Sequence, residues 1–337
     1  MDRTKLRECS RLMAGGSKSF FAASRVLPGR VREPATALYA FCRVADDAID
    51  HSDTPLLALR DLSQRLDDIY AGRPQSPVCD HALAHVVHTY QLPRVLPDAL
   101  LEGFAWDAEG RRYETIEQLH DYGARVAGTV GAMMAVVMEA RDRPTLARAC
   151  ELGLAMQLTN IARDVGEDAR NGRLYLPRQW MREAGLDPDA WLAAPRFDAA
   201  LAGVIERLLA EADRLYQRAE CGVASLPRDC RLGIQAARLV YGEIGQRLRQ
   251  SGLDSVHRRA VVGRSRKLAL IARASVATVF APGHPLDLSR DPDPQAAIRY
   301  LVDAAACDEM PSRTFYQRTL RMLDLFERVG QRQRRLA

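Results

Sequence analysis

Two stretches of the chain carry carboxylates at a spacing that can do chemistry. The first runs Pro34-Ala-Thr-Ala-Leu-Tyr-Ala-Phe-Cys-Arg-Val-Ala-Asp-Asp-Ala-Ile-Asp50. On a helix, Tyr39, Arg43, Asp46 and Asp50 fall at i, i+4, i+7 and i+11 and make one stripe. Asp47 lies off the stripe and is spaced to pair with Arg43. The second runs Gln157-Leu-Thr-Asn-Ile-Ala-Arg-Asp-Val-Gly-Glu-Asp168, with Gln157, Asn160, Asp164 and Asp168 at i, i+3, i+7 and i+11. Each stripe ends in two carboxylates one turn apart, on a helix that is otherwise apolar upstream. Such carboxylates are costly to bury unless a cation satisfies them. One pair alone is ordinarily a solvated helix face. Two pairs, each with polar residues in register, point to helices that face each other across a cavity.

Carboxylates with an amide oxygen are hard ligands. They suit Mg²⁺, which keeps waters and shares phosphate oxygens with a substrate. Neither stripe holds His or Cys, which argues against a transition metal. Two pairs, rather than one acid and one base, argue against a glycosidase. Other groups could serve an anionic substrate. Gly15-Gly-Ser-Lys-Ser-Phe20 sets hydroxyls and a lysine beside glycines, as a phosphate cradle or as a helix cap, without the spacing of a Walker motif. Tyr241 precedes a basic cluster, Arg258, Arg259, Arg264, Arg266 and Lys267. Trp106 and Asp107 either line the same cavity or belong to the core. The stretch after Asp168, through Gly172-Arg-Leu-Tyr-Leu-Pro177, is either a lid over a bound anion or an ordinary loop.

The elements that must position these groups read as helices. Leu56–Tyr70, Thr145–Ala169, Phe197–Ala219 and Arg231–Gln250 repeat apolar residues at steps of three and four. Convincing period-two strands are hard to find. Val126–Val137 is apolar all round and reads as a central buried helix. Its Gly128 and Gly131 would let a helix or a ligand come close. Pro34 suits the first turn of a helix. Breaks fall at Pro28-Gly29, Gly72 to Pro77, Gly185 to Pro195 and, most strongly, Pro282 to Pro294.

Composition agrees. Of 337 residues, 47% are hydrophobic and only 6% aromatic, which disfavours a β-sandwich and disorder alike. The net charge of +5 suits an anionic small substrate or a membrane surface better than nucleic acid. Seven scattered cysteines without a CxxC suggest a reducing, cytoplasmic compartment. The first 16 residues carry charges throughout and read as no signal peptide.

Taken in order, Ser17-Lys-Ser-Phe20, Tyr39-Ala-Phe-Cys-Arg43 leading into Asp46–Asp50, Val126-Ala-Gly-Thr-Val-Gly131, and Gln157 through Asp168 with Gly172–Pro177 resemble the squalene/phytoene synthase family. Asp46, Asp47 and Asp50 alone also spell the DDxxD of head-to-tail prenyltransferases; the second motif separates the two. The likeness covers roughly residues 10–278. It implies the all-α isoprenoid (terpenoid) synthase fold, with helices around a central cavity. It implies Mg²⁺-dependent head-to-head condensation of two allylic diphosphates, with Mn²⁺ a possible substitute and no NADPH. The lead expectation is geranylgeranyl diphosphate as substrate. The alternatives are a farnesyl diphosphate-using sibling making squalene, dehydrosqualene or presqualene diphosphate, and an inactive helical scaffold. Residue by residue, the resemblance assigns metal binding to Asp46, Asp50, Asn160, Asp164 and Asp168. It assigns substrate contacts to Ser17, Lys18, Ser19, Phe20, Tyr39, Arg43, Tyr122, Val126, Gly128, Gln157, Asn160, Tyr241 and one of Arg258 or Arg259. Many family members carry a second tyrosine just before the VAG motif; here Tyr122-Gly-Ala-Arg125 matches only the first.

The expected organisation is a catalytic body over 1–280, a Pro-rich linker over 281–295 and a helical extension over 296–337. In the extension, Leu320, Leu323 and Phe326 precede Arg328, Arg332, Arg334 and Arg335. That pattern would either touch anionic membrane or pack on the body. The expected place is the cytoplasm or the inner membrane face; the sequence does not fix the oligomeric state.

Overall fold

The computed structural model describes residues 3–16, 18–50, 52–75, 77–280 and 295–306, and of residues 3–5, 14–16, 18–20, 277, 279 and 280 the backbone alone. The described residues are helical without a strand. In chain order the helices are α1 (Arg3–Gly16), α2 (Lys18–Ser24), α3 (Gly29–Asp50), α4 (Pro55–Tyr70), α5 (Val78–Tyr90), α6 (Val95–Ala108) and α7 (Ile116–Gly123). A π-helical turn (Ala124–Gly128) leads into α8 (Thr129–Val137). Then come α9 (Arg143–Arg170), α10 (Arg178–Glu183), α11 (Pro188–Ala193), α12 (Ala199–Val223), α13 (Arg228–Gln250), α14 (Arg264–Phe280), a 3₁₀ turn (Ala296–Ile298) and α15 (Arg299–Ala305).

Local chemistry starts the long helices. Asp142 caps α9 by accepting from the Thr145 N–H at 2.9 Å, with Pro144 in the first turn. Asp198 caps α12 in the same way, accepting from the Leu201 N–H at 2.8 Å. Pro34 departs from its expected place, because α3 begins five residues earlier, at Gly29. A proline inside a helix leaves the carbonyl four residues back without its donor. That carbonyl belongs to Arg30, and the Tyr90 hydroxyl of α5 donates to it at 2.9 Å. A tertiary contact thus repairs what the local sequence breaks.

Two apolar clusters hold the body together. One joins α3 to α6 and α8, through residues such as Phe41, Leu66, Leu83 and Val136. The other joins α9 to α12 and their neighbours, through Leu158, Ile161, Ile205 and Leu208. Val126 and Ile234 pack against both. The segment expected as a buried helix is continuous but widens into the π turn at the VAG motif. Gly131 and Gly153 let the backbones of α8, the π turn and α9 touch. A Cβ on Gly131 would lie 2.1 Å from the Ala149 carbonyl oxygen, and one on Gly153 2.2 Å from that of Ala127.

Beyond the proline-rich stretch the chain returns to the same core. Ile298, Leu301, Val302 and Ala305 are fully buried in the first cluster. Arg125 reaches Tyr300, with its guanidinium 5.5 Å from the ring centre. The first turns of the C-terminal segment therefore belong to the body's packing, whereas residues 307–337, with their basic stripe, lie outside the described residues.

Gly153→Ala places a methyl group against a carbonyl oxygen that cannot swing aside. The expected loss is about 2–3 kcal/mol, opposite in sign to the ordinary gain from replacing a helical glycine. Urea unfolding of the variant beside wild type measures it.

Candidate active site

The helices enclose an apolar chamber of about 250 Å³ that opens into a polar mouth of about 620 Å³. Tyr39, Cys42, Val126, Gln157, Asn160 and Tyr241 border both. The chamber wall is built from α3, the π turn, α8, α9, α12 and α13, with residues such as Leu38, Val130, Met134, Leu152, Met156 and Ile234. The mouth carries Arg43 and Asp46 from α3, Asp107 from α6, Asn160 and Arg163 from α9, and Arg259 and Lys267 from the segment after α13.

Asp46 lines this mouth, Asp164 is held by the mouth arginines Arg163 and Arg259, and Arg173 ties Asp50 to the same region. On α3, Arg43 donates to Asp47 at 3.0 Å and to Asp46 at 3.3 Å. On α9, Asp164 accepts from Arg163 at 2.7 Å and from Arg259 at 2.8 and 3.1 Å. Arg173, in the loop after α9, crosses to the other pair and donates to Asp50 at 2.7 Å. Arg259 reaches Asp164 because its loop lies flat on α9. The Gly166 N–H donates to the Ser255 carbonyl at 3.0 Å, and a Cβ on Gly166 would stand 2.1 Å from the Val256 oxygen. No other residue type fits there.

Burial first, and then the neighbouring carboxylate, sets the protonation of the pairs. Burial, and then Asp50, push the Asp46 carboxyl up to about 6 against the pull of Arg43. Burial and Asp164 push Asp168 up to about 7 against Arg173. Burial also raises Asp164, but Arg163 and Arg259 outweigh it and hold that carboxyl below its ordinary value. Asp107 sits between the pairs. It accepts from the Tyr122 hydroxyl at 2.8 Å and the Tyr175 hydroxyl at 2.6 Å. Tyr122 and Tyr175 stack with ring centres 5.2 Å apart, and Tyr113 packs beside them. Burial raises Asp107, and the two phenols partly offset it.

The oxygen donors fit a divalent hard cation. Asp46 with Asp50, and Asn160 with Asp164 and Asp168, are the donor types Mg²⁺ prefers, and the mutual repulsion within each pair is what a cation relieves. Among the described residues, no three His, Cys, Asp or Glu side chains form a ready cage. That agrees with an ion that takes one or two carboxylates and completes its shell with water and phosphate.

The expected site residues are mostly brought together. Tyr39, Arg43, Asp46, Tyr122, Val126, Gln157, Asn160 and Tyr241 border the mouth or chamber. Asp164 is bound to the mouth residues Arg163 and Arg259, Asp50 lies one turn beyond Asp46 and pairs with Arg173, and Asp168 lies one turn beyond Asp164. Of the two arginines left open, both exposed, Arg259 lines the mouth and pairs with Asp164. Gly128 is placed differently from its expected substrate contact. A Cβ there would face Leu301 at 3.4 Å and Ile298 at 3.6 Å, so Gly128 serves packing of the C-terminal segment. Ser17 and the side chains of Lys18, Ser19 and Phe20 lie outside the described residues. Three contributors were not assigned from the sequence: Arg163, Arg173 and Tyr175. Only the juxtaposition of Arg173 and Tyr175 with the second acidic motif hinted at them.

An all-helical body around an apolar chamber, with facing acidic pairs at its mouth, defines the isoprenoid synthase fold. The fold is similar to that of a dehydrosqualene synthase (TM-score 0.74, 31% identity, 81% of this chain and 96% of that one) and of a squalene synthase from Alicyclobacillus acidocaldarius (TM-score 0.68, 25% identity, 74% and 95%). The squalene/phytoene synthase family model matches residues 13–266, and the chain belongs to that family. Its sequence is 53% identical to a phytoene synthase of Rhodobacter capsulatus, over 88% of this chain and 89% of that protein. It is 50% identical to one of Cereibacter sphaeroides, over 89% and 88%. Membership makes it a prenyltransferase-type enzyme acting on a prenyl diphosphate.

The raised Asp168 has a consequence for stability. Its folded value lies above its unfolded one, so its ionisation opposes folding. The penalty is absent below the unfolded value of 3.8, grows as pH rises toward about 7, and is constant above that. Asp168→Asn, in EDTA, should therefore melt several degrees above wild type at pH 8, with the advantage shrinking as pH falls from 7 to 4. Thermal melts across that range decide it; an advantage that is flat with pH contradicts the assignment.

Proposed function

We propose that the chain is a phytoene synthase. It joins two geranylgeranyl diphosphates head to head, through a cyclopropylcarbinyl diphosphate, to a C40 hydrocarbon for carotenoid synthesis. The observation that carries this reading is the union of a long, dry apolar chamber with a cationic, carboxylate-bearing mouth. Relatives at 50–53% identity that bear the phytoene synthase name support the same choice.

Chamber length favours a C20 chain. The lining residues of α9 run from Asn160 back to Thr145. At a rise of about 1.5 Å per residue that is about 22 Å. Ordinary bond lengths give about 5 Å per isoprene unit, so four units need about 20 Å.

The residues divide the work. Arg43, Tyr39, Tyr241, Arg259 and Lys267 would receive the diphosphates, with Ser17 and Lys18 added on the sequence motif. Asp46 and Asp50 would hold Mg²⁺ at one diphosphate, and Asn160, Asp164 and Asp168 at the other. Bound Mg²⁺ supplies neutralising charge to the leaving diphosphates. Arginines that stabilise the departing oxygens lower the same barrier. When the first C–O bond breaks, the allylic cation sits among Leu152, Met156, Val130 and Met134, which exclude water. The second substrate's double bond then attacks, and a proton is lost. Loss of the second diphosphate, rearrangement and a further proton loss give the product, with no change of oxidation state and so no reductant. Asp107 holds the Tyr122 and Tyr175 hydroxyls beside the mouth.

No helix among the described residues is long and apolar enough to cross a membrane. We place a peripheral contact at α14 instead. Residues 255–280 carry six Lys and Arg and no Asp or Glu. Val261, Leu268 and Val276 are 72%, 68% and 58% exposed there, beside the mouth. A basic, apolar face so placed fits an anionic bilayer, from which long prenyl chains would enter.

Purified enzyme with Mg²⁺ and geranylgeranyl diphosphate, without NADPH, should yield a C40 hydrocarbon. A product from farnesyl diphosphate only would move the reading to the C15 sibling, and no product from either would sink it. Asp46→Asn and Asp164→Asn should each lower kcat/KM at least about 100-fold with the circular dichroism spectrum unchanged. For the surface, vesicles with 30% phosphatidylglycerol should co-sediment wild type, and Leu268→Glu with Val276→Glu should cut the bound fraction several-fold. Equal sedimentation would remove α14 from the account.

A further inference from the structure

Toward its far end, one turn short of Thr145, the apolar chamber changes character. Among the described residues, every side chain along the chamber is uncharged except one, Arg148 of α9. Arg148 is 7% exposed. Its Nη1 stands 3.0 Å from Oε2 of Glu151, one turn further on. Glu151 has no exposed surface at all. Its other oxygen, Oε1, accepts from Nε and Nη2 of Arg218, on α12, at 3.0 and 2.8 Å. Oε2 has no aligned hydrogen bond, so the ion contact with Arg148 is what satisfies it. The stem of Arg148 is pinned as well. Gly222 of α12 lies against it, and a Cβ there would come within 2.4 Å of the Arg148 Cβ.

Two buried charges, with a third half-buried, near the end of a lipid-sized chamber cost stability. Apolar side chains of like volume commonly do as well or better. The ionic network gives something apolar packing would not, namely an end wall that cannot yield. Met138 and Leu226, which also line the chamber, can change rotamer to admit extra carbons. Arg148 cannot swing away without leaving Glu151 Oε2 buried and unsatisfied. Its position is suited to a limit. Arg148 lies 15 residues before Arg163, which lines the mouth, about 22 Å along α9. A four-unit chain of about 20 Å fits within that length from the mouth, and a five-unit chain of about 25 Å overruns it.

We propose that Arg148, locked by Glu151 and Arg218 and backed by Gly222, is the end stop that limits the prenyl chain to four isoprene units. The inference rests on the phytoene synthase reading and adds a specificity-determining residue to it.

The test is chain-length preference. The variant Arg148→Met, Glu151→Leu, Arg218→Leu replaces the network with movable apolar side chains. It is assayed with Mg²⁺ and the all-trans C15, C20 and C25 diphosphates. The expected result is a rise of at least tenfold in the ratio of kcat/KM for C25 over C20, with C20 turnover kept within several-fold. A merely structural role would lower all three substrates together. A folded variant that turns over C20 with the ratio within twofold of wild type overturns the proposal. Arg148→Lys, which keeps the charge but shortens the reach, serves if the triple variant does not fold. It should raise the ratio a few-fold, and an unchanged ratio overturns the proposal equally. Failure of wild type to use the C20 substrate would instead strike the phytoene synthase reading, and is seen in the same assay before any variant is compared.

Discussion

The structure is organised by the repulsion between carboxylates that share a half-buried mouth. Asp46 with Asp50, and Asp164 with Asp168, stand one turn apart on helices whose other surfaces are apolar. Ionising both members of a pair there opposes folding, and the raised values of Asp46 and Asp168 measure that opposition. The protein meets it with arginines drawn from four places. Arg43 and Arg163 come from the acidic helices themselves, Arg173 from the loop after α9, and Arg259 from the loop after α13. Each loop arginine ties a distant segment to the pair, so the mouth is also a clasp for the fold.

The helix α9 carries most of this design. Its polar end holds Asn160, Asp164 and Asp168. Its middle forms chamber wall at Leu152 and Met156. Its glycines accept neighbouring backbone, the π turn at Gly153 and the loop of Val256 at Gly166. A helix that touches backbone on two sides has little freedom to shift. Carboxylates mounted on it keep their register against α3, which matters because charge stabilisation falls off steeply with misplacement.

Much of this could be read from residue order. The two stripes are periodic, and a helical period of 3.6 is a property of the chain alone. The helical class follows for the same reason. The features that could not be read are those made by contacts across long separations. Arg173 to Asp50, and Tyr175 to Asp107, link residues that no periodicity relates. Pro34 reads locally as a helix start, yet a hydroxyl from α5 supplies the missing donor and lets α3 begin earlier. Gly128 and Gly131 look alike in sequence, but one faces Leu301 and the other the Ala149 carbonyl. The choice between Arg258 and Arg259 was a matter of one residue of loop register, which Gly166 fixes by admitting the loop backbone.

The second acidic pair is divided by its surroundings. Asp164, gripped by Arg163 and Arg259, stays ionised well into acid. Asp168, next to it and more poorly paired, is held up to about 7. Two carboxylates one turn apart would otherwise titrate as a shared group; here the arginines choose which one gives way. If this pair holds a cation, as proposed, the ion would find one carboxylate already charged to attract it. The second, held up to about 7, would give up its proton readily near neutral pH. The same arginines that split the pair also line the mouth, where the oxygens of a diphosphate would compete for them. On the proposed reading, a diphosphate that draws the arginines away would leave the carboxylates to be neutralised by the cation, so the two would bind together more favourably than either alone.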